Sequence, residues 1–215
     1  MNTFVRFASG SLCALACAVA GHAAIIKFEL SIEFSGATPP AGAAPWLTAT
    51  FDDGGTPGSV DLTLETTNLV SNEFVFSWLF NLDPVLDPTS LSFSAPSKTG
   101  AFTDPVINTG VDAFMADGDG KFDIEVVFNS AGGPANRFGA GDSVKYTITG
   151  IAGLTAASFD FLSAPAGGHG PFPTAAHVGG IGSNDDESGW ITVPEPATGL
   201  VGLLMLGALA ARRRS

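Results

Sequence analysis

The sequence predicts an all-β chain folded as an antiparallel two-sheet β-sandwich, jelly-roll or immunoglobulin-like in its connections. Three observations carry that expectation. Apolar and polar residues alternate with a period of two in segment after segment, as in Phe28-Glu29-Leu30-Ser31-Ile32-Glu33-Phe34. Such alternation places one set of side chains on a buried face. The 215 residues include 27 Gly and 14 Pro, so turns are frequent and long helices disfavoured. No window holds apolar residues at i, i+3 and i+4 for three turns. With 45% hydrophobic residues and 17 Phe, the chain has the material for a core, which excludes intrinsic disorder. Short strands broken by turn residues then stack as two sheets.

In chain order, the first element is an export signal, not fold. Arg6 is the only charge in the first 26 residues, and residues 7–20 are apolar and small. That is the length of a signal-peptide core and too short to span a bilayer as a helix. Gly21-His22-Ala23 places small residues at −3 and −1, so signal peptidase is expected to cut after Ala23, leaving 1–23 as the signal peptide. A cut after Ala24 would put His22 at −3. A lipoprotein cut before Cys17 would leave a core of about nine residues and is the weaker reading. Cys13 and Cys17 both fall inside the signal, so the mature domain has no disulfide and depends on its core.

The domain is expected over residues 24–192. Alternation marks strands at 28–34, 60–65, 122–126, 144–149 and 158–161, with shorter candidates at 47–51, 91–94, 177–181 and 190–193. The segment 73–80 puts Phe74, Phe76, Trp78 and Phe80 on one side and Val75 and Leu79 on the other. It reads as a central strand covered on both faces. Residues 39–45 and 164–173 are Pro- and Gly-rich loops.

Charge narrows the function. The chain has 9 basic against 21 acidic residues, a net charge of −12, which excludes nucleic acid as a partner because phosphate binding needs clustered Lys and Arg. Between residues 24 and 193 the balance is five basic to twenty acidic. Such a surface favours solubility outside the cell.

Among candidate sites, Asp117-Gly118-Asp119-Gly120-Lys121-Phe122-Asp123 has carboxylates spaced around glycines. Two readings stand. Asp119-Gly120 suits a hairpin turn needing positive φ. Alternatively, Asp117, Asp119 and Asp123 wrap a calcium ion, with Asp112 as a further ligand. An EF-hand is excluded, since Met115 and Val126 occupy the two terminal ligand positions. No cofactor is required; calcium is the one candidate. Trp46 and Trp190 are candidates for stacking on sugar rings, with sheet-edge packing as the alternative, while Trp78 reads as core. His169 and His177, the two histidines of the mature chain, lack metal-ligand spacing. Gly141-Asp142-Ser143 matches the Gly-Asp-Ser block of a lipase and esterase family. However, Ser143 opens an alternating run and no Asp-x-x-His follows, so the reading is a turn entering a strand.

The C-terminus runs Val193-Pro194-Glu195-Pro196, then fifteen uncharged, mostly apolar residues (197–211), then Arg212-Arg213-Arg214-Ser215. As a helix, fifteen residues reach about 22 Å, short of a ~30 Å hydrocarbon core. Pro194 and Pro196 keep such a helix from extending back into the domain. Terminal arginines stay cytoplasmic. The plain reading is a short C-terminal transmembrane helix acting as an anchor. The three parts in this order resemble the PEP-CTERM sorting signal of exopolysaccharide-producing Gram-negative bacteria, over residues 193–215 only. That resemblance implies recognition of Pro194, Glu195 and Pro196 by exosortase, a membrane-embedded cysteine protease-transpeptidase. It also implies transient inner-membrane insertion with Arg212, Arg213 and Arg214 as the retention element, then delivery to the cell surface or extracellular matrix.

The expected function is an exported, non-enzymatic surface or matrix protein associated with exopolysaccharide. A specific carbohydrate-binding module is the alternative. A secreted hydrolase built from Ser143 or a carboxylate pair with His169 or His177 comes third.

Overall fold

The computed structural model describes residues 22–194, and these form two packed antiparallel sheets. The first sheet runs β1 (Ile25–Leu30), β3 (Leu47–Asp52), β4 (Val60–Glu65), β11 (Ser143–Thr149) and β6 (Ser92–Phe93), with β7 (Ser97–Thr99) also on β11. The second runs β2 (Ile32–Glu33), β13 (Glu187–Thr192), β12 (Thr174–Ile181), β5 (Phe74–Phe80), β9 (Asp119–Val127) and β8 (Val106–Ala116), with β10 (Phe138–Gly139) on β5. The sandwich expected from the alternation is the architecture found. The segment read as a signal peptide, apart from its last two residues, and the C-terminal apolar segment lie outside the described residues.

Leu47, Phe51, Leu62, Leu64 and Ile148 from the first sheet meet Val75, Trp78, Phe80, Ile124 and Val178 from the second in one core. Phe51 joins the layers, stacked on Phe159 at 4.3 Å and edge-on to Phe80 at 5.4 Å. Outside this core the two sheets differ. The outer face of the first is polar, with Lys145 paired to Asp61 at 2.7 Å and Thr147 donating to the same carboxylate. The outer face of the second carries a smaller apolar cluster of Leu79, Phe122, Phe172 and Ala175.

Four local expectations are corrected. The faultless alternation of 28–34 is not one strand. The chain changes sheets at Ser31, where β1 pairs with β3 and β2 with β13, and the Ser31 N–H donates to the Thr192 carbonyl at 2.9 Å. Residues 158–161 are not a strand: Ala156–Phe159 forms a 3-10 turn. Thr155 and Ser158 cap each other there, and the turn drives Phe159 into the core. The third correction concerns the hairpin turn. Ala116 pairs with Asp119, so the turn residues are Asp117 (φ 53) and Gly118 (φ 80), not Asp119-Gly120. Two consecutive positive φ values match the twist of the flanking strands. The partner strand β8 is largely exposed, and that is why periodicity missed it.

The fourth correction has the widest effect. β12 pairs His177 with Ser77 but Val178 with Val75, so Phe76 is an extra residue in β5. A bulge of this kind breaks the period of two. Trp78, Phe80 and Val75 therefore face the sandwich core, while Phe74 and Phe76 belong to the opposite face.

Among the described residues two buried side-chain atoms have no partner, Asn81 Oδ1 and the Tyr146 hydroxyl. The Tyr146 hydroxyl is buried and makes no hydrogen bond among the described residues, and burial pushes its pKa upward. An unpaired buried hydroxyl is costly. Tyr146→Phe is expected to raise stability by about 1 kcal/mol, read from urea unfolding midpoints at unchanged slope. A loss of stability would show that the hydroxyl has a partner.

Candidate functional site

The outer face of the second sheet carries a row of rings that runs across three strands. Trp190 on β13 lies directly opposite His177 on β12, with ring centroids 4.8 Å apart and planes within 6°. His177 stacks in turn on Phe76 of β5 at 4.7 Å, and Phe76 meets Phe74 at 4.6 Å with the planes tilted by 59°. The Arg137 guanidinium, beside β10, closes the row 4.3 Å from the Phe74 ring centroid. The β5 bulge puts Phe76 on this face. A glycine lets it lie flat: a Cβ at Gly179 would come within 2.2 Å of the Phe76 ring. Cross-strand aromatic pairs of this kind stabilise a sheet face beyond their buried area.

An open cavity of about 470 Å³ lies at the Trp190 end, lined by Ser35, Asp117, His177, Ser188 and Trp190 among others. Its floor is aromatic and its rim polar. Burial holds the pKa of His177 below its ordinary value, opposed by the nearby Asp117 charge. The imidazole is thus neutral at pH 7. At the other end of the row, a cavity of about 270 Å³ is lined by Asn72, Glu73, Phe74, Arg137 and Asp142. Glu73 is committed there, accepting from the Ala41 and Val70 N–H groups at 2.6 and 2.8 Å.

The three carboxylates read as a calcium set are held apart. Asp119 is buried under the 164–173 loop. It accepts from the N–H groups of Gly168 (2.6 Å) and His169 (3.1 Å), and its second oxygen meets His169 Nδ1 at 2.8 Å. These contacts, the His169 N–H first, lower its pKa. Asp123 accepts instead from Leu82 N–H and Asp112 N–H, each at 2.9 Å. Asp117 faces the His177 cavity. Among the described residues no three His, Cys, Asp or Glu side chains are placed to share a metal ion, and the structure does not bring Asp117, Asp119 and Asp123 together. Asp119 and Asp123 are each tied to a different stretch of backbone by these bonds.

The two candidate tryptophans also separate. Trp46 is buried in the main core, and its indole N–H donates to the Gly42 carbonyl at 2.7 Å. That removes it as a sugar platform. Trp190 remains half-buried at the cavity edge. Ser143 sits in β11 of the first sheet, paired with Glu65 and Thr99, whereas His177 is in the second sheet and His169 on the loop over Asp119. Sequence reasoning named Trp190 and His177 separately but missed Phe76, Phe74 and Arg137 as their companions. The glycines of β12, Gly179 and Gly180, were the one available signal.

The chain leaves the sandwich at the end of β13. Thr192 is buried and its hydroxyl donates to the Thr174 carbonyl at 2.7 Å. Val193 is half-buried and Pro194 exposed, while Glu195, Pro196 and Arg212 to Arg214 lie outside the described residues. Residues 192–215 match the PEP-CTERM protein-sorting motif. The chain carries a PEP-CTERM sorting signal. No curated protein and no solved structure matches the chain. The PEP-CTERM motif implies export, membrane-associated sorting and processing by exosortase. Among the described residues no helix is long and apolar enough to cross a membrane.

Two outcomes are expected on the aromatic face. A His177 pKa lowered by burial means its contribution to stability is complete above 6.5 and lost as pH falls through the lowered value. The His177 ring proton shift should therefore titrate with a midpoint below 6.5; a midpoint above that would contradict the burial. Gly179→Ala should force the Phe76 ring outward and cost roughly 1–3 kcal/mol in urea unfolding. An unchanged midpoint would mean that the ring moves freely.

Proposed function

We propose that the chain is an exported, non-enzymatic surface or extracellular-matrix protein, cut by exosortase through its C-terminal signal and associated with exopolysaccharide. The junction between domain and signal carries this reading. The PEP-CTERM motif begins on Thr192, the last residue of β13, so a cut just beyond it leaves both sheets whole. The signal can be removed without dismantling the fold.

The way acids are used supports a non-catalytic domain. Asp53, Glu73, Asp119, Asp123 and Asp142 all accept hydrogen bonds from backbone N–H groups, where they tie loops to strands. A nucleophile needs a base and an orienting group beside it, and Ser143 stands in a different sheet from His177.

A carbohydrate-binding module is the second reading, favoured by the Trp190 cavity. A half-exposed indole beside Asp117 and Ser188 combines a ring edge with hydroxyl and carboxylate groups suited to sugar hydroxyls.

Intact mass spectrometry of the exported protein tests the main reading. The mass is expected to lack residues 197–215 in the producing strain and to retain them when exosortase is deleted or Glu195 is replaced by Ala. Retention in the wild-type strain would refute processing. Cosedimentation of the exported protein with the producer's exopolysaccharide separates the two readings. Saturable binding weakened roughly fivefold by Trp190→Ala favours the module, and binding indifferent to Trp190 favours diffuse association.

A further inference from the structure

The sequence places signal-peptide cleavage between Ala23 and Ala24, and the fold holds a receptor for the group that cleavage would create. Hydrolysis of that bond adds water across it, giving a carboxylate on Ala23 and an amine on Ala24 that takes up a proton at neutral pH. The Ala24 nitrogen lies 2.8 Å from Asp53 Oδ1. In return the Asp53 N–H donates to the Ala24 carbonyl at 3.2 Å, so the two residues grip each other through both main chain and side chain.

Asp53 is 7% exposed. Besides Ala24 it accepts from Gly55 N–H at 2.9 Å and Ala156 N–H at 3.2 Å. One carboxylate thus ties the chain start, the β3–β4 turn and the 3-10 turn that carries Phe159. All three partners are neutral donors in an uncut chain. Among the described residues no Lys, Arg or His forms a salt bridge with Asp53. The adjacent Asp52 is occupied with Gly54 N–H at 2.8 Å, and Lys27 on β1 is paired with Glu29. These backbone donors, Ala24 foremost, outweigh the desolvation and hold the carboxyl below its ordinary pKa; a positive charge on the Ala24 nitrogen would strengthen that hold.

We infer that the α-ammonium group of Ala24, produced by cleavage after Ala23, is the counter-ion of Asp53 and locks the mature N-terminus into the sandwich. This rests on reading residues 1–23 as a signal peptide. Ala24 is half-buried, which leaves solvent access for the two ammonium hydrogens that Asp53 does not take. The register is specific. A cut one residue later would remove Ala24 together with its two bonds to Asp53. A cut one residue earlier would carry the charge out to Ala23, which is exposed.

The test uses the protein as exported by its producer. N-terminal peptide mass fixes the first residue, and the rate of α-amine acetylation at neutral pH is compared in native and urea-unfolded protein. Ala24 is expected first, reacting about tenfold more slowly in the native state, as a one-unit rise in amine pKa dictates. Asp53→Asn should restore the unfolded rate while leaving the surroundings of the amine in place. Ala24 with equal native and unfolded rates would overturn the pairing alone, as would protection that survives Asp53→Asn. A different first residue would overturn both the cleavage reading and the pairing. The wild-type comparison stands even where the Asp53 variant does not fold.

Discussion

A single extra residue in β5 decides how the rest of the sandwich is arranged. Between Val75 and Ser77 the strand holds one residue more than its partner β12, and the alternation on either side falls out of phase. Without the bulge, Phe74 and Phe76 would compete with Trp78 and Phe80 for the space between the sheets. With it, Trp78 and Phe80 fill the core, and two phenylalanines are sent to the outer face. That face then cannot be left bare. Its lower part is covered by Phe172 and Phe34, 4.4 Å apart, from the 164–173 loop and the β2 end. Its upper part is covered by the stacked row that ends on Trp190. The polar outer face of the first sheet needs no such cover.

A second constraint is the scarcity of cations. With 9 basic residues for 21 acidic ones, most carboxylates cannot be paired by side chains. The fold pairs them with backbone N–H groups instead. Ala24 N–H is the foremost reason that the pKa of Asp53 lies low, as the His169 N–H is for Asp119. Asp142 shows the opposite balance: burial raises its pKa against a single amide bond from Gly139. Carboxylates used in this way are structural ties between loops and strands.

How far the sequence could be read follows from these two constraints. Strands with one wet face, such as β4 and β11, kept strict alternation and were legible almost to the residue. The central strand was recognised as doubly covered, but its phase was not, because a bulge leaves no compositional mark when both faces are apolar. The crossing at Ser31 was hidden for a related reason: Phe28 and Leu30 enter the main core and Phe34 packs on the outer cluster of the second sheet, so the apolar alternation continues although the face it serves has changed. Of the candidate site, Trp190 and His177 were visible as residues, whereas their stacking depends on a β12–β13 register that no local pattern encodes.

By itself the sequence determined the sorting address and the fold class, because each is written in contiguous residues or in a short period. The PEP-CTERM signal needs only its own order of Pro-Glu-Pro, apolar run and arginines. The tertiary structure alone decided which tryptophan is buried, which carboxylates meet which amides, and that Ala24 ends on Asp53. The pairings of Asp53 with Ala24 and Ala156 and of Asp119 with Gly168 join residues 29 or more positions apart, and the free energy that selects among such pairings comes from burial and desolvation, which exist only once the two sheets have closed on each other.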